Sequence, residues 1–251
     1  MERILKSGEL AIILPVINCL DYTRGMIESI KTKHPYKLIL INNGSDDYTY
    51  EYFEELAQVK DIIAIHFREN LGCSASWNYG IRKAIKKYDS KYFFIPNNDI
   101  LLHPNTIDIL IKTLGSPRSI LTSATDVSGK VTHAQRVLKM KPPAKSRLTE
   151  APEFSCFMMT KEAIDKIGYF DERFYPAYFE DNDYHYRIKQ AGYKATKNSR
   201  ALYFHYGSRT IKDNALIKTK ANIGYAANAE YYDQKWGGAP SKEKYHTPFN
   251  K

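Results

Sequence analysis

The hydrophobic pattern of the first 115 residues is a regular alternation. Leu10–Val16, Lys37–Ile41, Asp61–Phe67 and Tyr92–Pro96 are short runs rich in apolar, β-branched and aromatic residues, with the length and character of strands. After each run, apolar residues recur at helical spacing: Met26, Ile27 and Ile30; Phe53, Leu56 and Ala57; Ile81, Ala84, Ile85 and Tyr88; Ile107, Leu110, Ile111 and Leu114. Four strand–helix units in succession predict an α/β fold with a mostly parallel central sheet flanked by helices. Three of the strands end in polar clusters: Asn42–Asp47, Arg68–Gly72 and Asn97–Asp99. In such a sheet these clusters converge on the carboxyl edge, where ligands bind.

The stretch Tyr92–Pro104 is the focus of that edge. A buried-type strand stops abruptly at Asn97, Asn98 and Asp99, which places a carboxylate at the strand end and makes Asp99 a candidate for a metal or phosphate-linked site. Taken alone, the cluster reads first as a strand-to-helix turn, because Asn and Asp bond their own backbone in turns. The chain has no Walker A sequence and no Gly-x-Gly-x-x-Gly after its first strand, which excludes a P-loop enzyme and a standard dinucleotide-binding domain.

From Ser116 the alternation breaks. Ser119–Thr125 and Val131–Leu138 are expected as strands, and Lys139–Glu153 (KMKPPAKSRLTEAPE) as a mobile surface loop that either closes over a cleft or is simply solvated. Phe154–Thr160 reads as a buried strand and Lys161–Ile167 as a short helix closed by Gly168. In the next stretch Glu180, Asp181 and Asp183 sit where a helix should begin, Arg187 and Lys189 in its later turns, and Gly192 at its end. That is a well-capped helix. It is also a way to hold a carboxylate ionised, as a general base requires. Tyr175, Tyr178 and Phe179 could wall a sugar ring or base, and His205 follows a short strand expected at Leu202–Phe204, much as Asp99 follows its own. Leu216–Gly238 reads as a helix packing across the domain or on another subunit, and the last dozen residues as loosely ordered.

Composition narrows the picture. A net charge of +9 points to anionic partners: nucleotide, nucleic acid or an anionic membrane face. No apolar run approaches the roughly 20 residues that span a bilayer, and the N-terminus lacks a signal-like core, so the chain is expected to be cytoplasmic. Three widely spaced cysteines suit a reducing compartment and argue against structural zinc.

The ordered set of motifs resembles the family 2 glycosyltransferases of GT-A fold, in their rhamnosyltransferase-like branch, over residues 10–210. Its parts are a first strand ending near Pro15, Asn42-Asn43-Gly44-Ser45, Asn70-Leu71-Gly72 to Asn78-Tyr79-Gly80, and Asn97-Asn98-Asp99. Later come Gly168–Phe174, Glu180-Asp181-Asn182-Asp183, Arg187, Gly192-Tyr193 and His205-Tyr206-Gly207-Ser208. The resemblance implies inverting transfer from a nucleotide-diphospho-sugar, UDP- or TDP-linked, assisted by Mn²⁺ or Mg²⁺. It implies Asp181 as catalytic base and Glu180 as an acceptor-positioning acid. Asp99 matches the last acid of the family's Asp-x-Asp metal motif, and His205 a histidine that completes the metal shell. Asn43, Asp47 and Arg68 fall where the nucleobase and ribose are held, and Arg209 is a candidate for the diphosphate. Pro15, Gly72, Asn78 and Asn98 complete the nucleotide-sugar site. Asn97 replaces the motif's first acid, which lowers the expected metal affinity.

The resemblance divides the chain into one GT-A catalytic domain, residues 1–215, and a C-terminal helical extension and tail, residues 216–251. Within the domain, about 1–115 would bind the nucleotide-sugar and about 116–215 the acceptor. The expected acceptor is a polysaccharide or glycolipid precursor. Hydroxymethylated bases of viral DNA are the alternative acceptor, and a catalytically silent nucleotide-sugar or nucleic-acid binding protein is the alternative of another class. Peripheral contact with an anionic membrane and a homodimer are further expectations.

Overall fold

The computed structural model describes residues 4–131, 133–207, 209 and 215–251. Its first half follows the predicted alternation: β1 (Leu10–Val16), α1 (Leu20–Glu28), β2 (Tyr36–Asn43), α2 (Thr49–Leu56), β3 (Ile62–Phe67), α3 (Cys73–Tyr88) and β4 (Tyr92–Pro96). β1 lies between β2 and β4, and β3 pairs outside β2, all parallel, with Ile12 opposite both Leu38 and Phe94. Both faces of β1 are covered, so its sequence is apolar at every position rather than at alternate ones. The period of two sends Leu10, Ile12 and Leu14 towards Met26 and Phe53, and Ala11 and Ile13 towards Trp77 and Ile81. A Cβ on Gly80 would lie 2.3 Å from Ile13 Cγ2, so glycine is what lets α3 sit this close to the sheet.

The second half is mixed. It comprises β5 (Ile100–Leu102), α4 (Thr106–Leu114), β6 (Ser119–Asp126), β7 (Leu148–Thr149), β8 (Cys156–Thr160), α5 (Lys161–Ile167), α6 (Glu180–Gln190), β9 (Lys194–His205) and α7 (Ala215–Trp236). The sheet order is β3-β2-β1-β4-β8-β6-β9-β5, with β7 pairing β9. β8 runs antiparallel to β4 and β6, β9 is parallel to β6, and β5 is antiparallel to β9.

Four expectations are corrected here. Val131–Leu138 forms no strand among its described residues: the chain makes 3-10 turns at Ser128–Lys130 and Ala134–Lys139. β6 already has β8 and β9 on its two sides, and the segment docks instead through Val137, buried against Leu101 and Leu202. Leu202–Phe204 is only the end of the twelve-residue β9, whose inner polar residues disguise it in the sequence. Thr196 is paired with Thr122 at 3.2 Å, and Asn198 donates to Thr113 Oγ1 at 2.8 Å. Lys139–Glu153 is not wholly loop, since Leu148 and Thr149 pair with β9. The tail is not loose: Tyr186 donates to Tyr245 O at 2.8 Å, and Tyr232 to Glu243 Oε1 at 2.6 Å.

α7 is anchored by its last turns. Tyr232 and Trp236 are buried with Phe174 and Tyr186, contributing on the order of 2–3 kcal/mol each. Among the described residues no helix is long and apolar enough to cross a membrane.

Candidate active site

The loops after β1, β2 and β4 open at the carboxyl edge of the parallel strands, where they meet the start of α6 around a cavity of about 480 Å³. Pro15, Asn43, Asn97, Asn98 and Asp99 line one side, and Tyr178, Glu180 and Asp181 the other.

Asp99 owes its place to strand register. β5 pairs antiparallel with β9 so that Ile100 faces His205, and the Tyr206 amide donates to Asp99 O at 3.0 Å. The carboxylate is 3% exposed. Its Oδ1 is 3.1 Å from His205 Nε2, and its Oδ2 accepts from the Arg209 amide at 2.9 Å. Burial pushes the carboxyl up, but the His205 hydrogen bond and charge, with the Arg209 amide, outweigh it and hold Asp99 below the ordinary carboxylate value. Among the described residues no group of three or more His, Cys, Asp and Glu could hold a metal. Asp99 and His205 together fit a hard divalent ion that takes its remaining ligands from water and phosphate, rather than from an all-protein cage. Ser208, part of the same motif, lies outside the described residues.

The structure brings only some of the expected nucleotide-sugar residues to the cavity. Asn43 lines it and ties the next loop in place, donating to Asn70 Oδ1 and accepting from the Leu71 amide, both at 2.9 Å. Asn98 reaches back to Thr23 Oγ1 at 3.1 Å, joining the strand end to α1. Asp47, Arg68, Gly72, Asn78 and Arg209 do not line the cavity, and neither does His205, which reaches it only through Asp99. The Asp47 carboxylate accepts from the amides of Leu20 and Thr49, the first residues of α1 and α2, and so ties the two helix starts together. Arg68 is exposed beyond β3. The Gly72 amide donates to Asn70 Oδ1 at 2.8 Å. Asn78 is fully buried, and its amide donates to Phe170 O and accepts from Phe170 N, clamping α3 to the segment before α6.

The opposite wall is less regular. Tyr178 and Phe179 carry φ of +81° and +72°, a left-handed conformation costing of order 1 kcal/mol or more at each side chain. They turn the chain into α6, whose first residue, Glu180, is 6% exposed. Its Oε2 makes no hydrogen bond among the described residues. Burial, then the neighbouring Asp181, pushes Glu180 up to about 8. Burial also raises Asp181, against its bond from the Asn182 amide and the nearby His185. This reverses the expectation that the helix N-terminus keeps the acids ionised: loss of water outweighs the partial positive charge of the helix end.

α7 holds this wall in place. Asn228 Nδ2 donates to Ala177 O and Tyr178 O at 2.9 and 3.1 Å. A Cβ on Gly224 would lie 2.5 Å from Pro176 Cδ. Lys235 Nζ reaches Asp171 at 2.7 Å and the fully buried Asp183 at 2.6 Å, and Trp236 Nε1 donates to Asp183 at 2.9 Å. Arg187 completes the Asp183 site at 2.9 Å.

Several lining residues escaped the sequence reading: Cys73, Trp77, Glu153, Phe154, Ser155 and Ala221. Glu153 is held by Lys197 at 2.8 Å and by Tyr203, so the end of the basic Lys139–Glu153 segment is part of the wall. Its position beside a predicted strand was the available signal. Nothing in the sequence marks Ala221. Cys73 is no nucleophile candidate, since burial and then the acids of α6 drive its thiol up.

The family model "Glycosyl transferase family 2" matches residues 11–225. A galactofuranosyl glycosyltransferase of Leishmania donovani is 23% identical over 244 residues, 78% of this chain and 56% of that protein. An uncharacterised glycosyltransferase of Rickettsia typhi is 25% identical over 261 residues, covering 95% and 73%. Among solved structures, a mannosyltransferase from Pyrobaculum calidifontis in complex with GDP-Man and Mn²⁺ superposes with a TM-score of 0.63 at 15% identity, covering 82% of this chain and 60% of that one. GalNAc-T7 with UDP, GalNAc and Mn²⁺ gives 0.64 at 14%, covering 90% and 50%. The chain thus spans between half and three-quarters of these proteins.

Proposed function

Since the chain belongs to glycosyl transferase family 2 and has the GT-A fold, we propose that it transfers a sugar from a nucleoside-diphosphate donor to an acceptor hydroxyl with inversion. One observation carries this reading. One cavity is lined by Asp99, whose pair partner His205 at 3.1 Å is not itself a lining residue, and by a second pair, the acids Glu180 and Asp181. The first pair suits a diphosphate with its ion, and the second suits proton removal.

Asp181 takes the proton from the acceptor hydroxyl, whose oxygen bonds to the anomeric carbon. The bond from that carbon to the diphosphate oxygen breaks, and its electron pair leaves with the nucleoside diphosphate. A carboxylate raised by burial is a stronger base than one in water, once ionised. Glu180 orients the acceptor hydroxyl beside it. Pro15 and Asn43 shape the nucleotide end of the cavity, and Asn98 fixes the Asp99 loop to α1. A divalent ion, Mn²⁺ or Mg²⁺, held by Asp99 and His205 would offset the charge of the departing diphosphate. Two of the solved neighbours contain Mn²⁺, which supports a divalent ion here.

The test is a calorimetric and melting-shift screen of UDP, GDP, TDP and CDP sugars with and without Mn²⁺. Metal-dependent stabilisation by one nucleotide class is expected. Absence of stabilisation by all four, with and without metal, would overturn the donor reading.

A further inference from the structure

One charged group of the cavity wall takes no part in proton removal or in holding the diphosphate. Glu153 lies in the half of the chain expected to bind the acceptor, yet strand register puts it on the Asp99 side. Cys156 of β8 pairs with Pro96 of β4, and the Asn97 amide donates to Ser155 O at 2.8 Å. Pro152, Glu153, Phe154 and Ser155 therefore continue the wall that begins at Asn97–Asp99. The sugar of a nucleotide-sugar is bonded to its terminal phosphate, so a diphosphate held at Asp99 delivers the sugar to this stretch.

The Glu153 side chain is 32% exposed and is fixed by three donors. Lys197 Nζ lies 2.8 Å from Oε1, and Tyr203 Oη and the Asp126 amide donate to Oε2 at 3.1 and 3.2 Å. The Glu153 amide donates in turn to Ser123 Oγ at 2.8 Å. Tyr203 Oη is also 2.6 Å from Ser155 Oγ. A phenol has one proton, so with that proton on Glu153 the Ser155 hydroxyl donates to Tyr203 and keeps a lone pair to spare. A carboxylate has about four lone-pair sites, of which the three donors take three. Both lining residues are thus left with acceptor capacity alone, which is what a hydroxyl group needs to find.

The charges around the cavity point the same way. Asp99, Glu153, Glu180 and Asp181 line it, and among the described residues no lysine or arginine does. Lys197 offsets Glu153 without lining the cavity itself. A further anionic group on the ligand, beyond the diphosphate, would meet these acids and no cation. Resting on the transferase reading above, we propose that Glu153 and Ser155 are specificity-determining residues of the donor site: they accept hydrogen bonds from hydroxyls of the transferred sugar and restrict the donor to sugars without a carboxylate.

The test is calorimetry on the intact protein in Mn²⁺, with a nucleoside diphosphate alone, its neutral sugar and the matching uronate, on the nucleotide found in the donor screen. For uridine these are UDP, UDP-glucose and UDP-glucuronate; for guanosine they are GDP, GDP-mannose and GDP-mannuronate. The wild type should bind the neutral sugar about tenfold or more tightly than the uronate. Glu153→Gln keeps the shape, removes the charge and leaves Lys197 unpaired, and should narrow that ratio to about threefold or less. Lys197→Met leaves the Glu153 charge uncompensated and should widen the ratio about threefold. A residue that only held the wall in shape would not move the ratio in opposite directions. Lys194→Met, the same charge change at an exposed position of β9, should leave it as it is. All three variants should bind the bare diphosphate within about twofold of wild type. Equal affinity of the wild type for sugar and uronate, or a ratio unmoved by Glu153→Gln and Lys197→Met, would overturn the proposal. Failure of every bare diphosphate to bind the wild type would instead overturn the donor reading, so the two failures are separable.

Discussion

Asp99 and Glu180 are two buried acids lining one cavity, and they behave in opposite ways. Asp99 is buried but partnered on both oxygens, with His205 on one and the Arg209 amide on the other, and it is held below the ordinary carboxylate value. Glu180 is buried to a similar depth with Oε2 unpartnered among the described residues, and it is pushed up to about 8. Burial alone therefore does not decide the protonation of a carboxylate; the donors that reach it do. The contrast separates the roles. An acid whose ionised form is favoured suits an ion and a diphosphate, and acids raised by burial suit proton traffic, Asp181 taking the proton beside Glu180.

The largest expected effect breaks the comparison on the proton-taking side. Asp181→Asn should lower transfer by about 10³-fold or more while nucleotide-sugar affinity stays within about twofold, because the base acts on the acceptor. Single-turnover rates together with calorimetry measure both, and a variant turning over normally would remove Asp181 from the role.

Next comes the support behind that side. Lys235→Met leaves Asp183, wholly buried, and Asp171 without their shared cation, at a cost of about 3 kcal/mol in urea unfolding. Because this network ties α7 to the helix that begins at Glu180, transfer should fall more than nucleotide-sugar binding, which depends on the parallel strands. Equal losses in both would mean that the two walls are not independent.

On the diphosphate side, Asp99→Ala should weaken nucleotide-sugar binding about tenfold in the presence of Mn²⁺ and much less without it. An unchanged affinity in Mn²⁺ would make Asn97–Asp99 a simple turn.

The same two walls differ in how far the sequence reveals them. The parallel half was legible because strands covered on both faces are continuous apolar runs, and each stops at a polar cluster. Asp99 could be placed from that pattern alone. Asp47 and Asn78 look the same in the sequence as Asn43 and Asn98, yet one ties two helix starts together and the other is sealed against Phe170. A polar residue beside a motif does not disclose which neighbour it will bond. The far wall was legible only in its acids. Its conformation depends on Asn228, Gly224 and Lys235, about 50 to 60 residues away in the chain, and no local periodicity reports such contacts. The direction of the Glu180 shift was misread for the same reason: the helix start is visible in the sequence, and the burial of its first residue is not.

The smallest effect tests that shift directly. Glu180→Gln keeps the shape of the side chain and removes its titration. The carboxyl, at about 8 in the folded chain, is raised above its ordinary value of 4.5, so the folded state keeps a proton that the unfolded state has released between those limits. The stability it contributes is complete below about pH 4.5 and is lost as the pH rises through about 8. The wild type should therefore lose stability relative to the variant across this window. The two should melt closest together near pH 5, and the variant should become progressively the more stable as the pH rises towards 8. Distant groups common to both proteins cancel in the difference, whereas Asp181, whose charge acts on Glu180, does not, so paired thermal melts from pH 5 to 8 read the Glu180–Asp181 pair. A difference that does not change with pH would mean that Glu180 is already ionised, like Asp99, and the contrast between the two walls would then have to rest on something other than proton affinity.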